Sequence, residues 1–297
     1  MNSIRQAFLI AAHNFRRWYK NPRIVIVFAL NIILCFLLSD KTIHFAMQYH
    51  TITQILEPFV WMFGDATSIL LFSLLLVLLF VDMPFITAGT PYYLVRTTRR
   101  VWLSGQLLYI VLATLIYTTF SLVVSMLLCA PNSFLGNQWS ETAALLGYTQ
   151  AGKMLVLPAS IKTMEMSLPY AVTLDIFILV GLYTLLLMSI MLATNIRGGK
   201  FWGVGAIFLF SLYGLLLNPE FFGKLFQLPD NLWYRVNVAV GWASPLNQAT
   251  FYMHNFGYDL LPQLWISWLI FVLLIIVCSL FALRAIKNYS FTFSGTD

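Results

Sequence analysis

From Ile69 to Val81 the chain reads Ile-Leu-Leu-Phe-Ser-Leu-Leu-Leu-Val-Leu-Leu-Phe-Val, with no charged residue and no alternation of character. Six apolar stretches of this kind run at roughly Ile24–Ser39, Phe59–Val81, Leu103–Ala130, Leu168–Thr194, Phe201–Leu217 and Gln263–Leu283. Crossing the hydrocarbon core of a bilayer takes about 20 apolar helical residues, with about 17–25 tolerated. By that measure the first and fifth stretches are short and extend into their flanks, while the third and fourth are long enough to tilt or project. Because whole runs are apolar on every side, the in–out alternation of a β-barrel is excluded, and helices are left to satisfy the backbone in lipid. Of the 297 residues 60% are hydrophobic and 9% charged, against about 25% charged in soluble domains, so an aqueous surface cannot be covered. The sequence predicts an all-α integral membrane protein with six transmembrane helices in a single transmembrane domain.

Charge gives an orientation. Arg5, Arg16, Arg17, Lys20, Arg23, Arg96, Arg99, Arg100, Arg197, Lys200, Arg284 and Lys287 fall before span one, between spans two and three, between spans four and five, and after span six. The alternate, much longer loops hold only Lys41, Lys153, Lys162, Lys224 and Arg235. The positive-inside rule therefore predicts a multi-pass protein of the cell membrane with both termini cytoplasmic. The same placement accounts for the net charge of +6 without a nucleic-acid partner. The basic N-terminus followed by an apolar run resembles a signal peptide, but Leu37-Leu38-Ser39-Asp40-Lys41 offers no small-x-small cleavage site, so a retained helix is expected. Cys35, Cys129 and Cys278 are odd in number and lack metal-ligand spacing, which makes them packing residues.

The segments on the basic side span about 23, 21, 6 and 14 residues, below the ~50 that a folded domain takes. Energy for any work then comes from an ion gradient or from another polypeptide. Gly147-Tyr148-Thr149-Gln150-Ala151-Gly152-Lys153-Met154 has the G-x-x-x-x-G-K spacing of a phosphate-binding loop. Met154, however, replaces the hydroxyl that holds magnesium, no strand precedes the loop, and it falls on the non-cytoplasmic side. His13, His44, His50 and His254 stand in no metalloprotease or nucleophile-elbow context, so neither a catalytic residue nor a metal ligand set is assigned. Asp65 and Asp175 are the acids within the spans, each within about two turns of a helix N-terminus where the dipole and interfacial water stabilise a carboxylate. They are boundary acids or the polar lining of a translocation path. The scarcity of midplane acids counts against a secondary carrier.

Three segments carry the functional hint. Ile4, Phe8, Ala11, Phe15 and Trp18 recur at helical spacing, Arg5, Arg16, Arg17 and Lys20 lie off that stripe, and Asn21-Pro22 breaks the pattern. Residues 1–22 are thus predicted to form an amphipathic helix on the cytoplasmic membrane surface, either a plain anchor or a helix whose polar face docks a soluble partner. In the loop from Pro84 to Trp102, proline and glycine interrupt the first half. The second half can form a short helix, with Tyr93, Val95 and Trp102 for packing and Arg96, Arg99 and Arg100 for acidic partners. Such a loop is a topology signal or a docking patch. The last long loop, Asn218 to Pro262, contains apolar runs, Val238–Tyr252 among them, that predict re-entrant or interfacial helices. Gly199 and Gly203, at GxxxG spacing, permit a tight turn and a close helix approach.

In this order of elements, and in Phe15-Arg16-Arg17-Trp18-Tyr19-Lys20-Asn21-Pro22-Arg23, Val95-Arg96-Thr97-Thr98-Arg99-Arg100-Val101-Trp102 and Ala243-Ser244-Pro245-Leu246, the chain resembles the membrane subunit of a type-2 ABC exporter. That fold is shared with the transmembrane half of ABC subfamily G transporters. The resemblance implies a connecting helix over 3–20, including Phe8, Phe15, Arg16, Arg17 and Trp18. It implies a coupling helix over about 92–102, where Arg96, Arg99 and Arg100 meet a separate ATP-binding subunit and Trp102 wedges the helix against the membrane. Val238–Tyr252 would hold the re-entrant helices, residues 24–283 the six-helix bundle and 284–297 a cytoplasmic tail. A second membrane subunit, identical or a sister, would complete a path along spans two and five, with ATP and magnesium held by the partner and no cofactor in this chain. The implied function is export of a hydrophobic or amphipathic molecule. The alternatives are a non-transporting immunity or sensor component and a secondary carrier.

Overall fold

Helix starts follow the polar caps and prolines of the sequence. In the computed structural model, which describes residues 3–86, 90–149, 151–154, 159–217, 221–222, 229, 233–289 and 291, α1 (Ser3–Arg16) passes through a 3-10 turn, Trp18–Lys20, into α2 (Pro22–Gln48). Asn21 caps α2 by accepting from the Arg23 amide at 3.1 Å, with Pro22 in the first turn, where its missing N–H costs nothing. β1 (Thr53–Gln54), α3 (Glu57–Met62) and α4 (Ala66–Phe80) follow, then α5 (Thr90–Leu94) and α6 (Arg99–Cys129). β2 (Ser133–Phe134) pairs parallel to β1, Thr53 opposite Ser133. After it come α7 (Glu141–Tyr148), α8 (Ala151–Met154), α9 (Ile161–Met166), α10 (Pro169–Gly198) and α11 (Lys200–Leu216). The chain closes with α12 (Trp233–Ala243), α13 (Pro245–Gln248) and α14 (Leu264–Ala285). Residues 1–2, Thr87-Ala88-Gly89, Gln150, residues 155–158, 218–220, 223–228, 230–232 and 290, and the tail from 292 lie outside the described residues.

The chain is a helical protein in which four helices, α2, α6, α10 and α14, are long and apolar enough to cross a membrane. α4 and α11 are apolar but shorter, with 15 and 17 residues. α2 runs past the expected Ser39 to Gln48, because Asp40, Lys41 and Thr42 bring no glycine or proline to stop it. The second apolar stretch is not one helix: Phe63-Gly64-Asp65 divides α3 from α4, and Asp65 starts the second piece by accepting from the Ser68 amide at 3.1 Å.

α10 is the centre of the bundle, packed against α14, α11, α6, α4 and α3. Leu179, Tyr183, Leu186, Met188 and Leu192 are buried, and they lie on opposite faces, so the run is apolar all round because it is surrounded all round. Between α2 and α6 the contact is polar. The Asn31 amide donates to Ser121 Oγ at 2.8 Å, and the Cys35 thiol donates to Asn31 Oδ1 at 3.3 Å, all three buried. Lipid competes well for apolar side chains, so hydrogen bonds of this kind fix which helices meet. Cys35, Cys129 and Cys278 are free thiols.

Candidate functional site

The basic residues of the alternating segments gather at one end of the bundle. The Asn195 amide, at the end of α10, donates to the Met83 carbonyl at 2.8 Å, and its oxygen accepts from the Gly203 amide at 2.8 Å. Gly199 makes the intervening turn at φ +96°, a backbone region glycine enters without strain. A Cβ on Gly203 would stand 2.2 Å from Asn195 Oδ1, so the expected tight turn and close approach are both built on these glycines. Arg23 pairs with Asp82 across the same end, a half-exposed pair worth about 0–1 kcal/mol.

At this end the segment from Thr90 to Trp102 projects a small surface. Thr90 is buried and Leu94 packs on the core, while Tyr92 and Val95 are 80% and 88% exposed, beside the exposed Arg96 and Arg100. The expected single helix over 92–102 is divided. α5 ends at Leu94, and Thr98 caps α6, its hydroxyl accepting from the Val101 amide at 3.4 Å and its carbonyl from the Trp102 amide at 3.0 Å. Val95, Thr97 and Thr98 are weak helix formers, and a threonine hydroxyl at the cap competes with continued helix. Arg99, Arg100 and Trp102 therefore stand in the first turn of the long helix α6 itself.

The four expected contact residues divide by direction. Arg99 donates to the carbonyls of Ile286, at 3.3 Å, and Lys287, and its guanidinium lies 5.7 Å over the Phe291 ring. It thereby satisfies backbone acceptors left over at the end of the last helix. Trp102 is fully buried with its ring edge-on to Phe291 at 5.2 Å. Arg99 and Trp102 thus anchor the segment, and Arg96 and Arg100 are the cations it presents outward.

α1 packs on α6 instead of lying free. The expected stripe splits: Ala11 is buried and Phe15 and Trp18 are half-buried, but Ile4 and Phe8 are exposed and the packed face is Ile10, Ala11 and Asn14. Asn14 donates to Gln106 Oε1 at 3.3 Å and Trp18 Nε1 to the Tyr109 hydroxyl at 2.8 Å. α1 thus packs along α6, with Ile10 against Gly105 at one point and Phe15 and Trp18 against Tyr109 at another. Arg16 and Arg17 are exposed. Burial, with Arg17 and Arg16 alongside, holds His13 below the ordinary imidazole range.

The opposite end is rich in loops and holds residues that sequence reasoning missed. Glu57 is fully buried and accepts from the Ser140 amide at 2.7 Å, the Ser140 hydroxyl at 2.6 Å and the Gln54 amide at 3.3 Å, tying α3 to β1 and to the cap of α7. Burial pushes its carboxyl up to about 7. Lys162 pairs with Asp259 and faces the rings of Phe256 and Tyr258 at 5.5 and 5.8 Å. His254, fully buried between Phe251 O at 3.0 Å and Ser267 Oγ at 2.9 Å, is pushed down to about 4 by burial, so its ring is neutral at pH 7.

The last long loop folds back on the bundle. Ser244 caps α13 and donates to the Gly214 carbonyl at 3.1 Å, Asn247 donates to Leu217 O at 3.3 Å and Tyr213 to Ala243 O at 3.2 Å. Leu246 is buried where α13 meets α11 and α4. The expected helices within Val238–Tyr252 are thus present as α12, α13 and a 3-10 turn, Phe251–Met253. Asp65 spends both carboxylate oxygens on Ser68, through its amide and, at 2.5 Å, its hydroxyl. Asp175 is half-buried in α10 and makes no hydrogen bond or ion pair with a described residue. The phosphate-loop lookalike is divided between two helices, with Gly147 in α7 and Gly152 in α8 against the Leu146 carbonyl. Among the described residues no group of histidine, cysteine and acid is placed to hold a metal ion. Comparison with protein-family models, with curated proteins and with solved structures gives no match to this chain.

Proposed function

We propose that the chain is the membrane-spanning permease subunit of an ATP-driven exporter, with the segment from Thr90 to Arg100 seated on a separate ATP-binding subunit. The observation that carries the reading is the contrast within that segment. Tyr92, Val95, Arg96 and Arg100 point outward, while Arg99 and Trp102 lock its base to the end of the last helix. An exposed aromatic and an aliphatic side chain beside two arginines match the composition of protein-docking surfaces. Because Thr98 caps α6 directly, displacement of this surface is passed to α6 and from there to α1, α2 and α10, which pack on it. ATP-driven closure of the partner would move these helices as a body and reorient the path between two membrane subunits.

In this reading α2, residues 59–81 (the end of α3 with α4), α6, α10, α11 and α14 are the six spans, both termini are cytoplasmic by the positive-inside rule, and α12–α13 form the re-entrant closure. α11 exposes Phe208, Leu209, Tyr213 and Leu216, a face for a second membrane subunit or for lipid. The cargo is hydrophobic or amphipathic, and ATP and magnesium belong to the partner.

Co-purification in mild detergent tests the proposal. An ATP-hydrolysing protein stays bound to the wild-type chain and is released, or uncoupled from transport, by Arg96→Glu with Arg100→Glu. Ion-driven transport by the chain purified alone would refute it. That second reading, an ion-coupled carrier, is favoured by one observation, a half-buried Asp175 with no partner among the described residues. Asp175→Asn abolishes transport in a carrier of that kind and leaves ATP-driven export running if the acid only marks a boundary.

A further inference from the structure

We propose that the groove between α1 and α6 is a binding site for one anionic phospholipid molecule, with its phosphate on Arg16 and one acyl chain between the two helices. The groove encloses about 410 Å³ and is lined by Phe8, Ala11, Ala12, Phe15, Arg16 and Leu112. Phe8 and Phe15 stand two turns apart on α1, and the two alanines between them leave the trough that larger side chains would fill. Five of the six lining residues are apolar, and the sixth places a cation at one end, which is the division of a lipid molecule itself.

Three further features select the occupant. Arg16 is exposed and forms no hydrogen bond or ion pair with a described residue, so its donors are free for a phosphate. No acid lines the groove, and Arg17 and Lys20 continue the positive charge beyond Arg16, so an anionic headgroup is favoured over a zwitterionic one whose cation would find no partner. From Leu112, the flank of α6 continues away from the basic end through the exposed Leu115 and Ile116. An acyl chain leaving the groove therefore stays on apolar surface along a helix long enough to cross the bilayer. The site holds α1 where it packs on α6, and it stands whether or not the partner of α5 is an ATPase.

Native mass spectrometry of the full chain, released from detergent with phosphatidylglycerol or phosphatidylcholine of matched acyl chains, tests the site. The wild-type chain is expected to retain one phosphatidylglycerol in preference to phosphatidylcholine. Arg16→Gln, at an exposed position, weakens phosphatidylglycerol retention by about fivefold, the effect of one basic residue at an anionic surface, and narrows its preference over phosphatidylcholine. Ala12→Trp fills the trough and removes both lipids, with an unchanged melting temperature showing that the chain is folded. Soluble glycerol 3-phosphate does not compete, whereas competition would mark a free-phosphate site and overturn the lipid assignment. Equal retention of the two lipids, or full retention in either variant, would also overturn it. Arg96→Glu with Arg100→Glu, which tests the ATPase partner, leaves lipid retention as in wild type.

Discussion

Replacing Gly105 by alanine perturbs the packing of α1 on α6 at a single point. A Cβ at Gly105 would stand 2.7 Å from Ile10 Cβ, 2.8 Å from Ile10 Cγ2 and 3.0 Å from the Ala7 carbonyl oxygen. Ile10 Cβ is fixed by its backbone and the Ala7 oxygen is backbone, so no change of rotamer relieves the contact and α1 must move. Overpacking of this kind costs about 1–3 kcal/mol. α1 is a separate helix joined through the 3-10 turn at Trp18–Lys20, so the cost falls on its docking equilibrium. Alanine meanwhile favours α6 by about 1 kcal/mol over glycine, and the two helices respond in opposite directions. At 1.4 kcal/mol per factor of ten, the population of undocked α1 rises about 5- to 150-fold. Hydrogen exchange of the full chain in detergent micelles reads this directly. Amides of 3–16 exchange faster by that factor in Gly105→Ala, those of α6 are unchanged or slower, and Ser104→Ala, exposed on the neighbouring position, changes neither. Exchange of α1 equal to wild type in Gly105→Ala would refute the close packing.

Gly203→Ala places a Cβ 2.2 Å from Asn195 Oδ1 and 2.7 Å from Met191 Cγ, and is expected to cost about 1–3 kcal/mol in detergent melts, partly recovered by adding Asn195→Ala. Asp65→Ala removes the cap of α4 and costs about 0.5–2 kcal/mol, while Asp65→Asn keeps most of it; equal loss in both would point to a role for the charge beyond capping. Glu57 and His254 predict opposite pH dependences at the loop-rich end. Glu57, raised from 4.5 to about 7, holds a proton in the folded chain that the unfolded chain releases. Its contribution is therefore complete below pH 4.5 and is lost as pH rises to about 7, by about 1.4 kcal/mol per unit. His254, lowered from 6.5 to about 4, contributes fully above pH 6.5 and loses its contribution as pH falls. Between these limits the slopes offset each other, so amide protection around residues 53–57 and 251–267, corrected for the pH dependence of intrinsic exchange, stays nearly flat with pH in wild type and becomes acid-labile in Glu57→Gln. A variant profile as flat as wild type would contradict the pairing.

Much of the architecture is legible in the sequence because lipid imposes a one-dimensional signal, the length and uniformity of apolar runs. α10 and α14 begin within a residue of their expected starts, at Pro169 and Leu264. The gathering of basic residues at one end follows from the alternation of charged segments. What could not be read are the contacts between runs. Asn31 and Ser121 lie 90 positions apart and each looks like a tolerated polar residue in an apolar helix; only their meeting gives them a role. Gly105 carries no turn or motif, and its need for a missing side chain arises from α1 packing above it. Glu57 stands just ahead of Pro58 and an apolar run, where an acid is ordinary at a helix start, so nothing local marks its burial among Gln54 and Ser140. In the segment from Thr90 to Trp102, residue types marked a basic and aromatic surface, but which arginines face inward depended on where Ile286, Lys287 and Phe291 come to rest.

The claim on which the functional reading depends is that the surface around Val95 meets a nucleotide-hydrolysing partner. The most direct measurement is photo-crosslinking from a benzophenone amino acid placed at Val95, 88% exposed and without a packing role, in membranes containing the intact assembly, with ATPase activity assayed on the crosslinked product. The account predicts a crosslink to a soluble protein that hydrolyses ATP, lost when Arg96 and Arg100 are both changed to glutamate and kept when Arg16 is changed to glutamine. A Val95 probe that reaches only lipid, or a chain that transports in its absence from any ATPase, would contradict it.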